Sequence, residues 1–359
     1  MKILYITKFF PPEQGGIETL SKNICDFFFN KKNNIEVLSF SKKKSFTSKI
    51  NGYKVNYFKT LFNLFSTPIS FGIIFFLIRN FKKYEYIHIH TPNPWITFWI
   101  IFLPIKKLIV SWGSDIINQK IVKFFFNPIQ YIFLKKANKI ICLSKNYFES
   151  SEDLAAFKNK VIIIPPIIKF NYSKSKIKIN KRKIDIVTVG RLVNYKGHNI
   201  AVEAMKFLPS QYKLSIIGTG NNKNKILNQI SNLNLNTRIK IYGNVGQKLK
   251  INMLKKSNIF LMCSTSRAES FGIAILEAIA CSLPLVISNV KGSGMNDMIK
   301  NNFNGYKFKN FSSRDCAKKI IKISKNNNKI NLFSKNSSKL FLNKFNYKAI
   351  ELKLGKIYK

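Results

Sequence analysis

Two glutamates in the second half of the chain are candidates for binding a ligand through their carboxylates. Glu269 and Glu277 lie eight positions apart in RAESFGIAILEAIA, residues 267–280. Residues 274–280 are apolar almost all round, which is typical of a buried helix. An ionised Glu277 in such a helix is costly unless a polar group pairs with it. The vicinal hydroxyls of a ribose would satisfy this carboxylate, and so would a buried lysine or arginine.

A basic loop, GRLVNYKG at residues 190–197, follows an apolar run at 184–189. It places Arg191 and Lys196 at the carboxyl end of a predicted strand, beside glycines and before a predicted helix. Two fixed cations in that position are suited to neutralising a diphosphate leaving group. The backbone amides of residues 271–273, at the start of another predicted helix, would suit the same diphosphate.

The first half carries two further candidate groups. Gly15 and Gly16 lie in PPEQGGIE, residues 11–18, where they let the backbone approach a ligand closely or simply form a tight turn. His88 and His90 alternate onto one face of a predicted strand and serve either a ligand or a polar core. With three histidines and no D-x-D motif in the chain, the sequence predicts no metal site.

Short β-branched runs alternate with helix-compatible stretches along the whole chain, and they are the elements that must position these residues. In the first half, the predicted strands are 3–7, 35–40, 54–58, 86–90, 108–111, 139–143 and 161–164. In the second half, they are 184–189, 214–217, 239–242, 259–261 and 285–288. Runs that are apolar on both faces and separated by helices indicate an α/β fold with parallel sheets covered on both sides.

The length of 359 residues favours two domains over one large core. A polar, basic stretch at 169–183 is interpreted as the linker between domains 1–168 and 184–340. Two doubly wound units joined in this way leave a cleft that faces the carboxyl ends of both sheets, where such folds bind ligands. Residues 341–359 have helical spacing and are expected to pack back on the first domain.

The charge of the chain points to an anionic partner. Lys and Arg total 61 against 16 Asp and Glu, a formal net charge of +45. Nucleic acid, lipid headgroups or a phosphorylated substrate would all be attracted. However, Lys, Asn, Ile and Phe are abundant together, and AT-rich codon usage would explain the lysines equally well. The aromatic residues follow no RNA- or DNA-binding pattern, which argues against specific nucleic-acid recognition.

The sequence favours a protein of the reducing cytoplasm. Its five cysteines are scattered without C-x-x-C spacing, and the first residues lack the pattern of a signal peptide. A membrane span needs about 20 nearly uninterrupted apolar residues. Segment 61–78 is interrupted by polar residues and segment 96–105 is too short. Both belong either to the core or to an apolar surface beside the lysine-rich exterior.

Taken together, these motifs resemble family 4 of the retaining GT-B glycosyltransferases, and the likeness covers nearly the whole chain. Glu269 and Glu277 match the E-x7-E signature of that family, and Arg191 and Lys196 match its diphosphate-binding cations. The resemblance implies two Rossmann-like domains facing a central cleft. It also implies that Glu269 contacts the hydroxyls of the donor sugar and Glu277 the ribose, without a metal or another cofactor.

The same resemblance implies a set of site residues. The catalytic set is Arg191, Lys196 and Glu269. The donor-binding set is Gly15, Gly16, Gly190, Gly218, Val245, Ser270, Phe271, Gly272, Ile273 and Glu277. The candidates on the acceptor side are His88, His90, Ser114 and Asp115.

One departure from the family lies on the acceptor side. Many relatives carry a catalytic histidine at a position that corresponds to Trp112 or Gly113, depending on the alignment. Either His90, Ser114 or Asp115 contacts the acceptor or sugar instead, or water fills the gap, or the protein is a weak catalyst.

Runs at 114–120, 146–151, 191–197 and 291–294 are similar to those of bacterial polysaccharide mannosyltransferases, including the O-antigen type. That likeness implies GDP-mannose as donor, a growing lipid-linked oligosaccharide as acceptor, and attachment to the anionic inner face of the cytoplasmic membrane. A UDP-sugar-dependent transferase, a sugar-nucleotide epimerase or a phosphorylase of the same fold are the alternatives. A non-catalytic partner that binds nucleotide sugars is another.

Overall fold

The computed structural model describes residues 1–13, 15–116, 120–168 and 183–358. The chain forms two compact units: Met1–Lys169 together with Tyr347–Lys359, and Phe170–Asn346. The predicted linker, 169–183, lies outside the described residues except for Lys183.

The first unit is built on an eight-stranded sheet of order β10-β9-β8-β7-β1-β2-β4-β3, parallel except for the edge strand β3. Its strands are β1 Lys2–Ile6, β2 Asn34–Ser41, β3 Phe46–Ile50, β4 Tyr53–Lys59, β7 Tyr86–Thr91, β8 Leu108–Trp112, β9 Lys139–Cys142 and β10 Val161–Ile163. A separate hairpin consists of β5 Phe62–Leu64 and β6 Thr67–Ile69. The helices of this unit are α1 Gly16–Asn30, α2 Phe71–Asn80, α3 Pro94–Ile100, α4 Lys120–Lys136, α5 Lys145–Glu149, α6 Glu152–Ala155 and α13 Tyr347–Gly355.

The second unit has a six-stranded parallel sheet of order β13-β12-β11-β14-β15-β16. Its strands are β11 Ile184–Val189, β12 Tyr212–Ile217, β13 Ile239–Gly243, β14 Ile259–Met262, β15 Leu285–Asn289 and β16 Gly305–Lys309. Its helices are α7 His198–Lys206, α8 Lys223–Asn232, α9 Gln247–Lys256, α10 Ile273–Ala280, α11 Ser313–Ser324 and α12 Asn327–Leu340, the last followed by a π-helical turn, Phe341–Phe345.

The predicted α/β class is confirmed, and every predicted strand lies within two residues of an observed one. Four strands were missed: β3, β5, β6 and β16. The edge strands β3, FTSKI, and β16, GYKFK, mix lysine or hydroxyl groups with apolar side chains, so neither forms an apolar run. The three-residue strands β5 and β6 are too short to show a period at all.

Each sheet reverses its strand order beside its first strand. In the first unit β1 lies between β2 and β7, and in the second unit β11 lies between β12 and β14. Connections leave such a pair in opposite directions, which opens a crevice at the carboxyl ends of the two strands. The loops that follow β1, β7, β11 and β14 therefore define where each unit can bind a ligand.

The last residues of the chain belong to the first unit through Tyr358. Its backbone carbonyl accepts a hydrogen bond from the Tyr86 hydroxyl (2.7 Å), and its ring lies 4.2 Å from that of Phe28 between centroids. Its hydroxyl pairs with Nδ1 of His88, whose Nε2 pairs with the Ser111 hydroxyl at 2.7 Å. His88 is thus a hydrogen-bonded histidine of the core.

All three histidines are buried, and desolvation lowers the pKa of each below the ordinary value of 6.5. The pKa falls to about 3 for His88, where His90 adds repulsion, and to about 4 for His90. In the second unit the pKa of His198 falls to about 4, because burial and then the charge of Lys196 disfavour its protonation. The folded protein therefore holds all three as neutral imidazoles at pH 7.

Acidification should weaken the first unit before carboxylates begin to titrate. Below pH 6.5 His88 and His90 bind protons in the unfolded chain but not in the folded protein, where they are buried. The free energy of unfolding therefore decreases as pH falls from about 6.5 towards 4. Each such histidine costs about 1.4 kcal/mol of unfolding free energy per pH unit. All three tryptophans, Trp95, Trp99 and Trp112, lie in the first unit. Urea titrations followed by their fluorescence at pH 7, 6 and 5 will show the loss.

The matched variant is His90→Asn, which carries no titrating group. We expect about half the wild-type dependence of unfolding free energy on pH, whatever its stability at pH 7. An unchanged slope would mean that His90 is protonated in the folded protein.

Candidate active site

The loops after β11 and β14 meet at the crevice of the second unit. The backbone amide of Thr265 donates to the Tyr195 carbonyl at 2.7 Å, which ties the two loops together. Gly197 has φ of +64°, and a Cβ there would lie 2.0 Å from the Cys263 carbonyl oxygen. Only glycine permits this approach. It brings Lys196 next to Glu269, which is 73 residues away in the chain.

Lys196 and Glu269 form an ion pair in which both side chains are only 11% exposed. The lysine Nζ donates to Oε2 of the glutamate, and the Ser264 hydroxyl reaches the same oxygen at 3.4 Å. Removing either partner would leave a charge of this pair with little water around it, which is costly. The pair fixes one ammonium and one carboxylate at the carboxyl end of the sheet.

Glu277 lies in the buried helix α10 and is paired with Lys250. The Lys250 Nζ donates to Oε1 at 2.7 Å, and the Gln247 Nε2 approaches that oxygen at 3.4 Å. The glutamate side chain is 3% exposed and the lysine 18%. Of the two partners that the sequence left open, this structure thus contains the lysine. Lys250 was not predicted, because one lysine among 61 basic residues carries no distinguishing pattern.

Arg191 lies at the same edge as an exposed side chain. Its guanidinium donates to the Tyr195 hydroxyl at 3.3 Å. The neighbouring glycines lie at the ends of adjacent strands. The Gly190 amide donates to the Ile217 carbonyl at 3.0 Å, and the Gly218 amide donates to the Gly243 carbonyl at 2.8 Å. Val245, half-buried, follows two residues later, just before α9. The predicted glycine-rich positions therefore share one edge of the second sheet.

The turn before α10 is held by the loop that follows β15. The Ser293 hydroxyl donates to the Glu269 carbonyl at 2.5 Å, and the Gly294 amide donates to the Ser270 carbonyl at 3.0 Å. Gly272 is the N-cap of α10, and Ile273 is its first residue. The Phe271 side chain is buried and packs on the Phe345 ring, with centroids 6.3 Å apart. Residues 271–273 can therefore meet a ligand mainly through their backbone.

In the first unit, Gly15, Gly16, Ser114 and Asp115 lie after β1 and β8, whereas His88 and His90 lie within β7 itself. Gly15 is the N-cap of α1, which begins at Gly16. His88 uses both ring nitrogens inside the core, as described above. His90 is also buried, but its Nδ1 has no hydrogen-bond partner among the described residues. Ser114 is half-buried.

Asp115 is held by its own neighbourhood. Its Oδ1 accepts hydrogen bonds from the Trp112 indole at 2.9 Å and from the Ser151 hydroxyl at 2.7 Å. Its backbone amide donates to the Tyr147 hydroxyl at 2.7 Å. These bonds shape the loop after β8, so the geometry supports a structural role for Asp115 more directly than a contact with substrate.

Gly113 is, with Trp112, one of the two positions at which the resemblance led us to expect the family histidine. A Cβ on Gly113 would lie 2.5 Å from the Thr91 carbonyl oxygen and 3.0 Å from Nε2 of His90. Because backbone blocks the first contact, no side chain fits at position 113 without movement of the loop. The His90 imidazole lies directly beside that position.

The two units thus present distinct chemistry. In the second unit, Lys196, Glu269 and the exposed Arg191 lie in loops at the carboxyl ends of parallel strands. A second pair, Lys250 with Glu277, lies on α9 and α10. This setting is suited to a phosphorylated ligand with sugar hydroxyls. The first unit presents a neutral histidine beside a glycine that cannot be replaced without strain.

Comparisons with known proteins agree with this geometry. The family profile described as Glycosyl transferases group 1 matches residues 170–340, and that described as Glycosyltransferase Family 4 matches residues 14–171. The O-antigen chain mannosyltransferase C of Escherichia coli is 23% identical over 95% of this chain and 93% of its own.

Two further proteins are similar over most of their length. An Escherichia coli galactosyltransferase, named as transferring from UDP-Gal to α-D-GlcNAc-diphosphoundecaprenol, is 26% identical over 74% of this chain and 72% of its own. The crystal structure of Anabaena HepE in complex with UDP-glucose superposes with a TM-score of 0.79 at 17% identity, covering 99% of this chain and 98% of that one. The chain therefore belongs to glycosyltransferase family 4 and has the GT-B fold.

Proposed function

We propose that this protein is a retaining, metal-independent hexosyltransferase that takes mannose from GDP-mannose and adds it to a growing, lipid-linked cell-surface polysaccharide. The observation that carries the proposal is the pairing of Lys196 with Glu269 at the crevice of the second unit, beside exposed Arg191. A cation next to a carboxylate matches a donor that carries a diphosphate next to sugar hydroxyls.

Each donor group would have its own partner. Arg191 and Lys196 would neutralise the diphosphate, and the backbone of residues 271–273, with Ser270, would hold its oxygens. Glu269 would accept hydrogen bonds from sugar hydroxyls, and Glu277, which is paired with Lys250, would accept them from the ribose. Gly15 and Gly16 would approach the donor phosphate through backbone.

Transfer would proceed on one face of the donor. The acceptor hydroxyl oxygen forms a bond to the anomeric carbon while the bond from that carbon to the diphosphate oxygen breaks. The acceptor proton passes to the departing diphosphate, so both oxygens lie on the same side and the configuration is retained. Arg191 and Lys196 stabilise the charge that develops on the leaving group.

The sugar, the base and the acceptor in this proposal are inferred from the names of the relatives. The mannosyltransferase relative spans nearly the whole chain and supports mannose. The galactosyltransferase relative, named for a UDP-sugar, supports a polyprenyl diphosphate acceptor and keeps UDP as the alternative nucleotide. Such an acceptor would place the enzyme at the anionic cytoplasmic face of the membrane.

Removing the donor contacts should slow transfer from radiolabelled GDP-mannose to a lipid extract. We expect Arg191→Ala to lower kcat by about a hundredfold, because it stabilises the leaving group in the transition state. We expect Glu277→Ala to act mainly by raising KM, since ribose is bound equally before and during transfer. Initial rates over a range of donor concentrations separate the two effects.

The controls are Arg314→Ala, on α11, and Glu203→Ala, an exposed residue on α7. Both change charge in the same unit away from the crevice and should leave kcat and KM within about twofold of wild type. An unchanged kcat in Arg191→Ala together with an unchanged KM in Glu277→Ala would refute the assignment.

On the acceptor side, we propose that His90 takes the place of the family histidine. Its buried ring lies beside Gly113, where no side chain fits, and its Nδ1 is unpaired among the described residues. With its pKa lowered to about 4 by burial, His90 is neutral and can donate or accept one hydrogen bond to substrate. Asp115 is less suited, because Trp112 and Ser151 already occupy its Oδ1.

The variant His90→Phe should lower kcat for transfer by about a hundredfold, because a positioned hydrogen-bonding group is lost from the transition state. Binding of GDP, followed by thermal shift, should be unchanged. Rescue by His90→Gln, which keeps one hydrogen-bonding group, would support positioning through that bond. If His90→Phe transfers at the wild-type rate, then water or Ser114 serves the acceptor instead.

A further inference from the structure

We propose that one face of the first unit docks on an anionic phospholipid bilayer and inserts aromatic side chains among the lipids. This face, called here the apolar face, is formed by exposed side chains of the β5–β6 hairpin and of helices α2, α3 and α4. Its members are Leu61, Phe62, Leu64, Phe65, Phe71, Phe75, Ile78, Phe98, Phe102, Phe124, Phe125, Tyr131 and Ile132.

Exposed apolar side chains recur along both the hairpin and α2. At the turn of the hairpin, Phe65 and Ser66 have φ of +46° and +66°, which is unfavourable for a bulky residue, and Phe65 is 60% exposed. Helix α2 is apolar all round, and Phe71, Phe75 and Ile78 form an outward stripe at helical spacing. A helix without a polar face belongs in a core or beside lipid.

Aromatic contacts join α2 to α3. The Phe71 ring lies 5.4 Å from Trp95, Trp95 lies 5.8 Å from Trp99, and Phe98 lies 5.5 Å from Trp99 and 5.4 Å from Phe102, all between centroids. Helix α3 also packs against β6 and α4. The exposed rings of α2 and α3 are therefore joined by ring contacts, and α3 packs directly on the elements that carry the other exposed rings.

Helix α4 extends the apolar face. Phe124 and Phe125 are 74% and 72% exposed, and Tyr131 and Ile132 follow on the same side of the helix after two turns. Phe133 and Leu134 point into the core. An amphipathic helix in water normally turns its polar side outward, whereas α4 exposes aromatic rings. Aromatic residues at this density are typical of helices that lie in a membrane interface.

The charge of the segment that carries most of the apolar face favours an anionic bilayer over a neutral one. Residues 61–136 contain nine Lys and Arg against two acidic residues, Glu85 and Asp115. Lys8 donates to the Ser66 carbonyl at the turn of the hairpin, which places one more ammonium beside the exposed rings. Basic groups near a lipid surface are attracted to anionic headgroups. Within the described ranges, no helix is long and apolar enough to cross a membrane.

This inference rests on the proposed function only for its purpose, which is to bring the crevices to a lipid-linked acceptor. The direct probe is the full chain mixed with phosphatidylglycerol vesicles or with phosphatidylcholine vesicles, separated by sedimentation. We expect binding to the anionic vesicles to exceed binding to the neutral ones by at least about tenfold and to fall with salt.

Two variants test the rings. Phe62→Ser with Phe65→Ser, and Phe124→Ser with Phe125→Ser, should each reduce partitioning on anionic vesicles by about tenfold or more, because buried ring area drives insertion. The matched control is Leu352→Ser, an equally exposed apolar residue on α13 of the same unit and outside the face. It should bind like wild type.

Wild-type protein gives a second readout that does not depend on the folding of any variant. Trp95 and Trp99 lie beneath the apolar face, whereas Trp112 is buried in the core. Vesicles that contain brominated phosphatidylglycerol should therefore quench the tryptophan fluorescence, and non-brominated vesicles should not.

Three results would overturn the inference: absence of quenching, equal binding of ring variants and wild type, or loss of self-association in the ring variants with unchanged vesicle binding. The last would show that the apolar face joins two copies of the chain. GDP binding, measured in parallel by thermal shift, separates this outcome from failure of the proposed function. A protein that binds vesicles but no nucleotide would refute only the latter.

Discussion

Two carboxylates in the second unit lie almost completely out of water, and each is held there by one lysine. Glu269 pairs with Lys196, and Glu277 pairs with Lys250. A carboxylate is costly to bury at either position without such a partner. The lysines therefore let the second unit bury two carboxylates, one of them in the crevice that also carries Arg191. We propose that this crevice receives both the diphosphate and the hydroxyl groups of a sugar nucleotide.

Strand order explains why these residues meet. Lys196 follows β11 and Glu269 follows β14, and these strands are neighbours only because the sheet reverses direction beside β11. The first unit repeats the arrangement, so that the loops after β1 and β7 carry Gly15 and the residues that follow His90. In both units glycine permits a close approach of backbone segments, at Gly197 in one and at Gly113 in the other. In both units, therefore, strand order and loop conformation determine where the candidate side chains lie.

Much of the architecture could be predicted from sequence, because strands buried on both faces are nearly continuous apolar runs, as in β1 and β8. The edge strands β3 and β16 were not predicted, because such strands mix polar with apolar residues and form no continuous apolar run. For the site, Glu277 could be singled out because a charge inside an apolar helix needs a partner. Its actual partner, Lys250, could not, because it is one of many lysines and only the tertiary fold brings it close. Likewise, no local pattern showed that both ring nitrogens of His88 are occupied, or that His90 lies beside Gly113.

We propose above all that the crevice of the second unit binds a nucleoside diphosphate through Lys196. Calorimetric titration of GDP, with UDP in parallel, into wild type and Lys196→Met tests it directly. We expect wild type to bind at least one of the two, and Lys196→Met to bind it at least about tenfold more weakly, a difference of about 1.4 kcal/mol in binding free energy. Lys206→Met, at the exposed end of α7, should bind like wild type. Wild type that binds neither nucleotide, or equal affinity in Lys196→Met, would contradict it.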